Sequence, residues 1–338
     1  GMFSRVASQK QAAKNGRRDS EFAFGTNPCS EIILRPYQFC NLSEVVVRST
    51  DSLKDLKRKV RVASILGTLQ ATLTDFRYLR SIWKKNTEEE ALLGVSLTGI
   101  MDHPVLSGRD AVGDNGDNKK LKQWLTEMKD VAIEVNANLA KDLGINPSVA
   151  ITAVKPSGTV SQLVDSASGI HPRFSSYYIR RIRADARDPL CKVLEDAGVP
   201  VEDDVMSTST KVFSFPIKAP ETAVVASEMG AMEQLNLWEI YQDYWCEHKP
   251  SMTCYYRDNE FLEVGQWLYN KFDKISGISF LPYSDHTYQQ APYEAVTKEK
   301  YETLVEGFPT EFSWDIEEER DMTEGSQQLA CTGNNCEL

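Results

Sequence analysis

The sequence lacks several features that would point to a membrane, secreted or nucleic-acid-binding protein. No apolar run is long enough to span a bilayer, and residues 3–20 are basic and polar and do not resemble a signal peptide. The formal net charge at pH 7 is −11, which argues against a broad face for nucleic-acid polymers. We therefore expect a cytoplasmic protein that contacts neither membranes nor nucleic-acid polymers.

The sequence also lacks the cysteine patterns of zinc sites and of disulfide scaffolds. No CxxC or Cys/His spacing suggests a metal, and the seven cysteines are odd in number and widely spread. In a reducing cytoplasm a cysteine is either a buried apolar side chain or a reactive thiol. Cys191, Cys246 and Cys254 lie within apolar or aromatic patterns and are predicted to be buried and inert.

Hydrophobic periodicity predicts an α/β fold in which parallel strands alternate with helices. Predicted strands or extended stretches lie at 32–34, 45–47, 92–100, 149–154, 176–183, 211–215, 252–256 and 278–281. Predicted helices lie at about 52–80, 119–143, 188–197, 223–246, 258–274 and 293–307. We divide the chain into a lead-in segment (1–26), a main body (27–313) and an acidic, polar tail (314–338) that is expected to be mobile.

The segment 26–31 combines residue types that suggest chemistry. Pro28 biases Asn27 towards an extended conformation, in which alternate side chains share a side. Asn27, Cys29 and Glu31 are therefore predicted to project together, which places an amide, a thiol and a carboxylate around one small ligand. From the residues alone, a plain loop in which an acid lies near a cysteine is an equally good interpretation.

Five segments together resemble the catalytic subunit of ribonucleotide reductases, especially its adenosylcobalamin-dependent (class II) members. The Asn-Pro-Cys-x-Glu segment is similar to the active-site finger loop of that family, and the Cys40 segment to its second cysteine segment. The resemblance runs through essentially the whole chain. Its segments are 10–19 (KQAAKNGRRD), 27–31 (NPCSE), 39–42 (FCNL), 94–100 (GVSLTGI) and 277–282 (GISFLP).

The resemblance implies a role for each residue of the loop. Cys29 becomes a thiyl radical that removes the 3′ hydrogen of the ribose, and Glu31 takes the proton of the 3′ hydroxyl. Asn27 hydrogen-bonds the ribose hydroxyls, and Cys40 is one half of the dithiol that reduces the substrate radical. Adenosylcobalamin supplies the radical, and the substrate is a ribonucleotide, preferably a triphosphate.

The turn at 155–161 is a candidate phosphate site. A predicted strand ends in Pro156, Ser157, Gly158 and Thr159, and Val160 opens a helix, so that free backbone N–H groups could face an anion. It is not a Walker A loop, and from the residues alone an ordinary helix capped by Ser157 or Thr159 is the better interpretation. The family resemblance implies instead that this turn holds the substrate phosphates.

The C-terminal pair Cys331 and Cys336 is separated by four residues in polar sequence. Idle exposed thiols are one interpretation. The other, which the family resemblance favours, is a redox tail that exchanges electrons between an active-site disulfide and a thioredoxin-like reductant.

The resemblance also implies what the chain does not contain. The family fold is a ten-stranded α/β barrel of two five-stranded halves, and this chain is expected to supply the finger loop and the second half. The N-terminal half, with the partner cysteine of Cys40, would be a missing segment or a separate polypeptide.

Three other interpretations stay open. Tyr255-Tyr256 resembles the radical relay of the metal-radical (class I) reductases. A non-catalytic fragment that binds a nucleotide or a partner is a second alternative. The third is a flavin- or thiol-based oxidoreductase with a redox pair formed by Cys29 and Cys40. A requirement for cobalamin would distinguish the reductase from this third alternative.

Overall fold

A computed structural model describes residues 1–110, 116–283 and 288–314, together with the backbone of 331–332 and 335–336. Its helices and strands are, in chain order, β1 (Met2–Phe3), α1 (Arg5–Ala13), β2 (Gly25–Thr26), β3 (Ile33–Leu34), β4 (Asn41–Val46), α2 (Leu53–Gln70), α3 (Ser81–Glu90), β5 (Leu93–Thr98), α4 (Lys119–Leu143), α5 (Val160–Leu163), β6 (Tyr177–Asp185), α6 (Pro189–Asp196), β7 (Val201–Asp204), β8 (Ser207–Lys218), α7 (Ala231–Tyr244), β9 (Thr253–Tyr256), α8 (Phe261–Lys271), β10 (Gly277–Pro282), β11 (Tyr293–Ala295), α9 (Lys298–Glu306), β12 (Cys331–Thr332) and β13 (Asn335–Cys336). None of the described helices is both long and apolar enough to cross a membrane.

Five extended segments lie side by side and run parallel in the centre of the molecule. β4 pairs with β5 along its whole length, and β9 pairs with β10. The predicted strand at 149–154 is not a regular strand, but it joins these two pairs. It bonds to β5 through Val95 N–H and Ile151 C=O (2.8 Å), and to the segment before β9 through Ser251 N–H and Val154 C=O (2.9 Å).

Helices cover this sheet and form the main core. α2 packs on β4, β5 and α4, while α7 packs on α4, α8 and β9. Trp238, Tyr241 and Trp245 of the α7 region are fully buried. Each of these aromatic side chains donates its polar hydrogen to a backbone carbonyl, so that the apolar surface is buried without an unsatisfied donor.

The helix predicted at 52–80 is shorter than expected. It begins where predicted, because Ser52 and Asp55 form a reciprocal capping box. It ends at Gln70, and a separate helix, α3, starts at Ser81. The helix predicted at 119–143 has the bounds of α4, which ends at Gly144 in the left-handed conformation (φ 68°) that glycine favours.

The early end of α2 has a local cause. Threonine and aspartate are weak helix formers, and the Thr72 hydroxyl donates to the Leu69 carbonyl, a group that a longer helix would use. Leu73, which continues the apolar spacing of α2, is therefore outside the helix and is 72% exposed.

A second sheet departs from the predicted parallel pattern. β11, β6, β8 and β7 form a four-stranded sheet in which every pairing is antiparallel. It has a small core of its own around Cys191, Val199 and Phe213. Alternation of strands and helices along the chain predicted parallel pairing here, and that prediction is wrong, because β7 and β8 are joined by a tight turn that admits only antiparallel strands.

The segment that follows residues 27–31 is tied to the main sheet through the backbone of one residue, Ile33. The N–H of Ile33 donates to His248 Nδ1 (3.3 Å), and its C=O accepts from Arg18 Nη1 (2.9 Å). His248 Nε2 lies 2.9 Å from the Leu93 carbonyl of β5, so Nε2 carries the hydrogen. Arg18 in turn forms a buried ion pair with Glu90 (2.7 Å).

The lead-in segment is part of the same assembly. Gln11 of α1 donates to the Cys246 carbonyl (2.9 Å), and Arg17 pairs with the buried Glu247 (2.6 Å). Glu247 also accepts from the N–H of Ile151 (2.9 Å). The lead-in therefore packs against the central segments on which residues 27–33 rest.

A substitution at Gly94 would test how tightly β5 packs against Leu42 of β4 and Ile32. A Cβ at this position would lie 2.4 Å from Leu42 Cδ2 and 2.9 Å from Ile32 Cδ1, so Gly94→Ala should lower the free energy of unfolding by about 1–3 kcal/mol in urea titrations. Gly265, on the exposed side of α8, has open space around it; Gly265→Ala should instead raise stability by about 0.5–1 kcal/mol. Equal effects of the two substitutions would contradict this packing.

His248 should make stability depend on pH. Burial lowers the pKa of His248 from 6.5 to about 3, so below pH 6.5 the unfolded chain binds a proton that the folded chain refuses. The contribution of neutral His248 to the free energy of unfolding is fully present above pH 6.5 and is lost as the pH falls towards 3.

Between pH 7 and 5.5 this loss should amount to about 1 kcal/mol. In His248→Gln an amide can still accept from Ile33 and donate to Leu93, but it does not titrate. Urea unfolding at several pH values should therefore give a shallower slope for this variant. Identical slopes for the variant and the wild type would refute the assignment.

Candidate active site

The loop at 27–31 is a turn, and the prediction that this segment is extended is wrong. Ser30 N–H donates to the Asn27 carbonyl (2.9 Å), and Ser30 has a positive φ of 69°. Pro28, whose φ is fixed by its ring, occupies the second position of the turn, where proline is favoured. The Asn27 side-chain oxygen accepts from Ile32 N–H (3.0 Å), which closes the loop.

Cys29 stands at the tip of this turn. It is half-buried, and its carbonyl accepts from the Ser251 hydroxyl (2.5 Å), which ties the turn to the segment before β9. Beside it is a cleft of about 160 Å³, which is open to the surface and lined in part by Cys29, Ser30, Lys249 and Thr253. A small group can therefore reach the Cys29 thiol from outside the chain.

Glu31 lies beneath the turn, completely buried. Among the described residues, no hydrogen-bond donor satisfies either of its carboxylate oxygens. Lys155 Nζ is 3.5 Å from Glu31 Oε1 and forms an ion pair with it. Although burial alone would lower the pKa of Lys155, the neighbouring Glu31 and Cys29 raise it above its usual value.

A second lysine, Lys249, is buried on another side of the same site. Its ammonium donates to the Gly277 carbonyl (3.1 Å), and its backbone N–H donates to the Glu31 carbonyl (3.2 Å). A Cβ on residue 277 would lie 2.3 Å from the ammonium, so glycine makes room for it. Burial lowers the pKa of Lys249 to about 8, while the charge of Glu31 opposes this shift.

Cys40 lies directly before β4. A Cβ added to Gly94 would be 3.4 Å from its sulfur and 2.9 Å from Ile32, so Cys40 and the end of the 27–31 turn meet over the same point of β5. Burial, and then the negative charge of Glu31, raise the pKa of Cys40 far above its usual value. Cys40 is therefore a protonated thiol at neutral pH.

The candidate phosphate turn has exposed donors, as predicted, but its helix is short. α5 has four residues, and among the described residues no acceptor is found for the backbone N–H groups of Gly158, Thr159 and Val160. The N-cap position of α5 is Thr159, whose side chain makes no capping hydrogen bond, while the Ser157 hydroxyl, two residues earlier, accepts from Ser161 N–H (3.1 Å).

A carboxyl group lies next to this turn. The hydroxyl of Ser157 donates to Glu44 Oε2 (2.9 Å), and burial raises the pKa of Glu44. Glu44 is therefore an ionisable side chain that an anion bound at the turn would meet.

The other cysteines fall into two groups. Cys191, Cys246 and Cys254 are all buried, as predicted. Most of the tail lies outside the described residues, but β12 and β13 form a two-residue antiparallel ladder in which Cys331 and Cys336 are directly opposite. The opposite positions of such a ladder have a Cα separation that a disulfide can span.

The structure therefore brings Cys29, Glu31 and Cys40 together, and it adds residues that the sequence analysis missed. Lys155 stood immediately before the predicted phosphate turn, which was the one available signal for it. Lys249 and Glu44 carried no recognisable motif, because their proximity to Glu31 and Ser157 depends on long-range packing.

Comparisons with known proteins give a consistent result. No family model matches the chain. Adenosylcobalamin-dependent ribonucleoside-triphosphate reductases match over most of it: the protein from Lactobacillus gasseri is 30% identical over 323 residues, which is 89% of this chain and 42% of that protein. The protein from Euglena gracilis is 30% identical over 331 residues, which is 95% of this chain and 43% of that protein.

The fold agrees with the sequence comparison. The crystal structure of a B12-dependent (class II) ribonucleotide reductase superimposes with a TM-score of 0.73 at 26% identity, over 85% of this chain and 42% of that chain. The chain thus spans less than half the length of the relatives that it matches. The resemblance found in the sequence is confirmed: by sequence and by fold, the chain is a relative of the adenosylcobalamin-dependent ribonucleotide reductases over part of their length.

Proposed function

We propose that this chain carries the radical-bearing part of a ribonucleotide reductase, which converts ribonucleotides, preferably triphosphates, to 2′-deoxyribonucleotides. The observation that carries the proposal is the meeting of Cys29, Glu31 and Cys40 around one turn, with Cys40 held as a neutral thiol. The relatives named above are reductases of this kind and support the same chemistry.

Each residue then has one task in a balanced reaction. The thiyl radical of Cys29 takes the 3′ hydrogen atom, and Glu31 takes the proton of the 3′ hydroxyl. The 2′ hydroxyl leaves as water, and Cys40 and a partner thiol give two hydrogen atoms and become a disulfide. Glu31 then returns its proton to the 3′ oxygen, and the Cys29 thiol returns its hydrogen atom to the 3′ carbon. Asn27 orients the ribose through its side-chain NH₂ group, since its oxygen is used within the turn.

The cleft beside Cys29 has room for only one end of adenosylcobalamin, and the rest of the cofactor would lie outside it. The cleft of about 160 Å³ is open to the surface, so Ser30 and Thr253 would border the end of the cofactor that faces the thiol. When bound, adenosylcobalamin supplies the radical that converts the Cys29 thiol to a thiyl. The burial of Glu31 keeps water away from its own carboxylate, which is the group that takes the proton.

The substrate phosphates would bind at 156–160. The three N–H groups there without acceptors, those of Gly158, Thr159 and Val160, suit an anion, and the turn lies close to Cys29 because Lys155 reaches Glu31.

The rest of the barrel would pair along β4. The number of parallel segments, five, is the number that half of a ten-stranded barrel would have, and among the described residues no strand pairs with the outer edge of β4. The groove beside that edge is lined partly by Leu42, Val62 and Leu66, whose side chains are exposed. The N-terminal half, on the same chain or a separate one, would cover this groove and bring the partner thiol to Cys40.

The tail pair would relay electrons. Cys331 and Cys336 would reduce the disulfide of Cys40 and then be reduced by a thioredoxin-like protein. Their opposite positions in the β12–β13 ladder support the formation of an internal disulfide.

Cys29→Ser should abolish deoxynucleotide formation, because a serine hydroxyl holds its hydrogen too tightly to form the radical. The assay combines the chain with the N-terminal half polypeptide, with and without adenosylcobalamin. Nucleotide binding should change less than about twofold, since the phosphate turn is untouched. Cys191→Ser, in the second sheet, is the matched control and should stay active. Appreciable turnover by Cys29→Ser, or full activity without the cofactor, would refute the proposal.

Replacing both Cys331 and Cys336 with serine should stop multiple turnover driven by a thioredoxin-like reductant. One turnover from prereduced enzyme should survive, because Cys40 and its partner already hold two electrons. A small dithiol should restore part of the steady rate, measured as deoxynucleotide per enzyme. Unchanged thioredoxin-driven turnover would contradict the relay, and loss of the first turnover would indicate a direct catalytic role.

A further inference from the structure

Glu31 is a buried carboxylate with one cationic partner in direct contact. Its two oxygens have no hydrogen-bond donor among the described residues, and the ion pair with Lys155, at 3.5 Å, is its nearest compensation. An uncompensated buried charge is costly, so this ion pair must contribute to keeping the carboxylate in place.

The backbone of Lys155 is pinned on two sides, which fixes where its side chain starts. Its N–H donates to the Ser96 hydroxyl of β5 (2.8 Å). Its carbonyl lies against Gly169, where a Cβ would be 2.5 Å from the oxygen and where φ is +52°. From this position the side chain, about one third exposed, reaches both Glu31 and the Cys29 thiol.

The other ionisable groups around the pair can be named. Glu44 lies on the side of the phosphate turn and interacts with Lys155. Lys249 and Cys40 both interact with Glu31. Cys29 interacts with Lys155 directly, and an ammonium beside a thiol favours the thiolate unless a carboxylate cancels its charge.

We propose that Lys155 is a positioning residue that forms with Glu31 a mutually neutralising pair, so that Cys29 keeps its proton and remains a hydrogen-atom donor. This role rests on the proposed function of Cys29. The lysine also binds the carboxylate until a substrate hydroxyl replaces it. In this arrangement removal of either partner changes the protonation of Cys29, and in opposite directions.

Alkylation of Cys29 tests the pair without requiring catalysis. Iodoacetamide reacts with the thiolate, so its rate at pH 7.5 follows the ionised fraction. Fragmentation mass spectrometry separates Cys29 from Cys40, which lies on the same tryptic peptide. Glu31→Gln should speed alkylation of Cys29 by about threefold or more, because the lysine is then uncompensated.

Lys155→Met should slow the same reaction by about threefold or more, because the carboxylate is then uncompensated. The double variant should react within about twofold of the wild type, since the two charges are removed together. Lys155→Arg keeps the charge and should behave like the wild type. Lys57→Met, which breaks an ion pair with Glu127 on the surface, is the matched control and should have no effect.

Folding is checked in the same samples, because the buried Cys246 and Cys254 should stay unreactive in every variant used. Unchanged alkylation in both single variants, or a change in the same direction in both, would overturn the proposal. If Lys155→Met fails to fold, the Glu31→Gln arm decides alone. Absence of reductase activity would refute the proposed function but would leave the alkylation result standing.

Discussion

The position of Cys29 depends on the backbone of Ile33, whose N–H and C=O are both held by buried side chains. Its N–H is bound by a neutral, buried His248 and its C=O by Arg18, whose charge is balanced by Glu90. Removing one partner of such a buried network leaves an unpaired polar group or charge, at a cost of about 3–5 kcal/mol for a buried ion pair. Because Arg18 belongs to the lead-in segment, residues before the turn are as necessary to the site as the turn itself.

The electrostatics of the site favour a neutral thiol at Cys40, which separates it from a nucleophilic cysteine site. A nucleophilic cysteine lies beside uncompensated positive charge that favours the thiolate. Cys40 has the opposite surroundings, since burial and the carboxylate of Glu31 both raise its pKa. A thiol that keeps its proton is suited to giving hydrogen atoms, as the radical chemistry requires. This setting disfavours the alternative in which Cys29 and Cys40 act as an ordinary thiol-exchange pair.

Local patterns predicted what local physics determines. α4 has its predicted bounds because its buried, mostly apolar face runs from Leu121 to Ala140 and Gly144 then ends the helix. The buried run at 92–100 became β5, in which every residue is buried. Besides the early end of α2 and the irregular segment at 149–154, two predictions failed: Pro28 was taken to extend the chain when it starts a turn, and the antiparallel second sheet was not foreseen.

Only the residues of the candidate site that belong to a recognised sequence motif could be predicted. Cys29, Glu31 and Cys40 are near one another in sequence, and the resemblance to a known family identified all three. Lys249 and His248 reach the site from more than two hundred residues away along the chain. Such contacts are set by the order of parallel segments in the sheet, which single-residue patterns do not encode. Lys155 was adjacent to a recognised turn, but its partner could be identified only after the turn and Glu31 were placed.

The same sheet order explains why the site looks incomplete on this chain. Cys40 precedes β4, and β4 is the outermost of the five parallel segments, so the thiol stands at the boundary of the described sheet. A dithiol needs a second sulfur within about 2 Å of the first once oxidised. The described side chains nearest to a Cβ at Gly94 are those of Leu42, Ile32 and Cys40, and of these only Cys40 bears sulfur. On the proposed function, the second thiol must therefore come across the free edge of β4. The exposed apolar groove beside β4 and the position from which a second thiol would reach Cys40 then lie on the same side of the molecule.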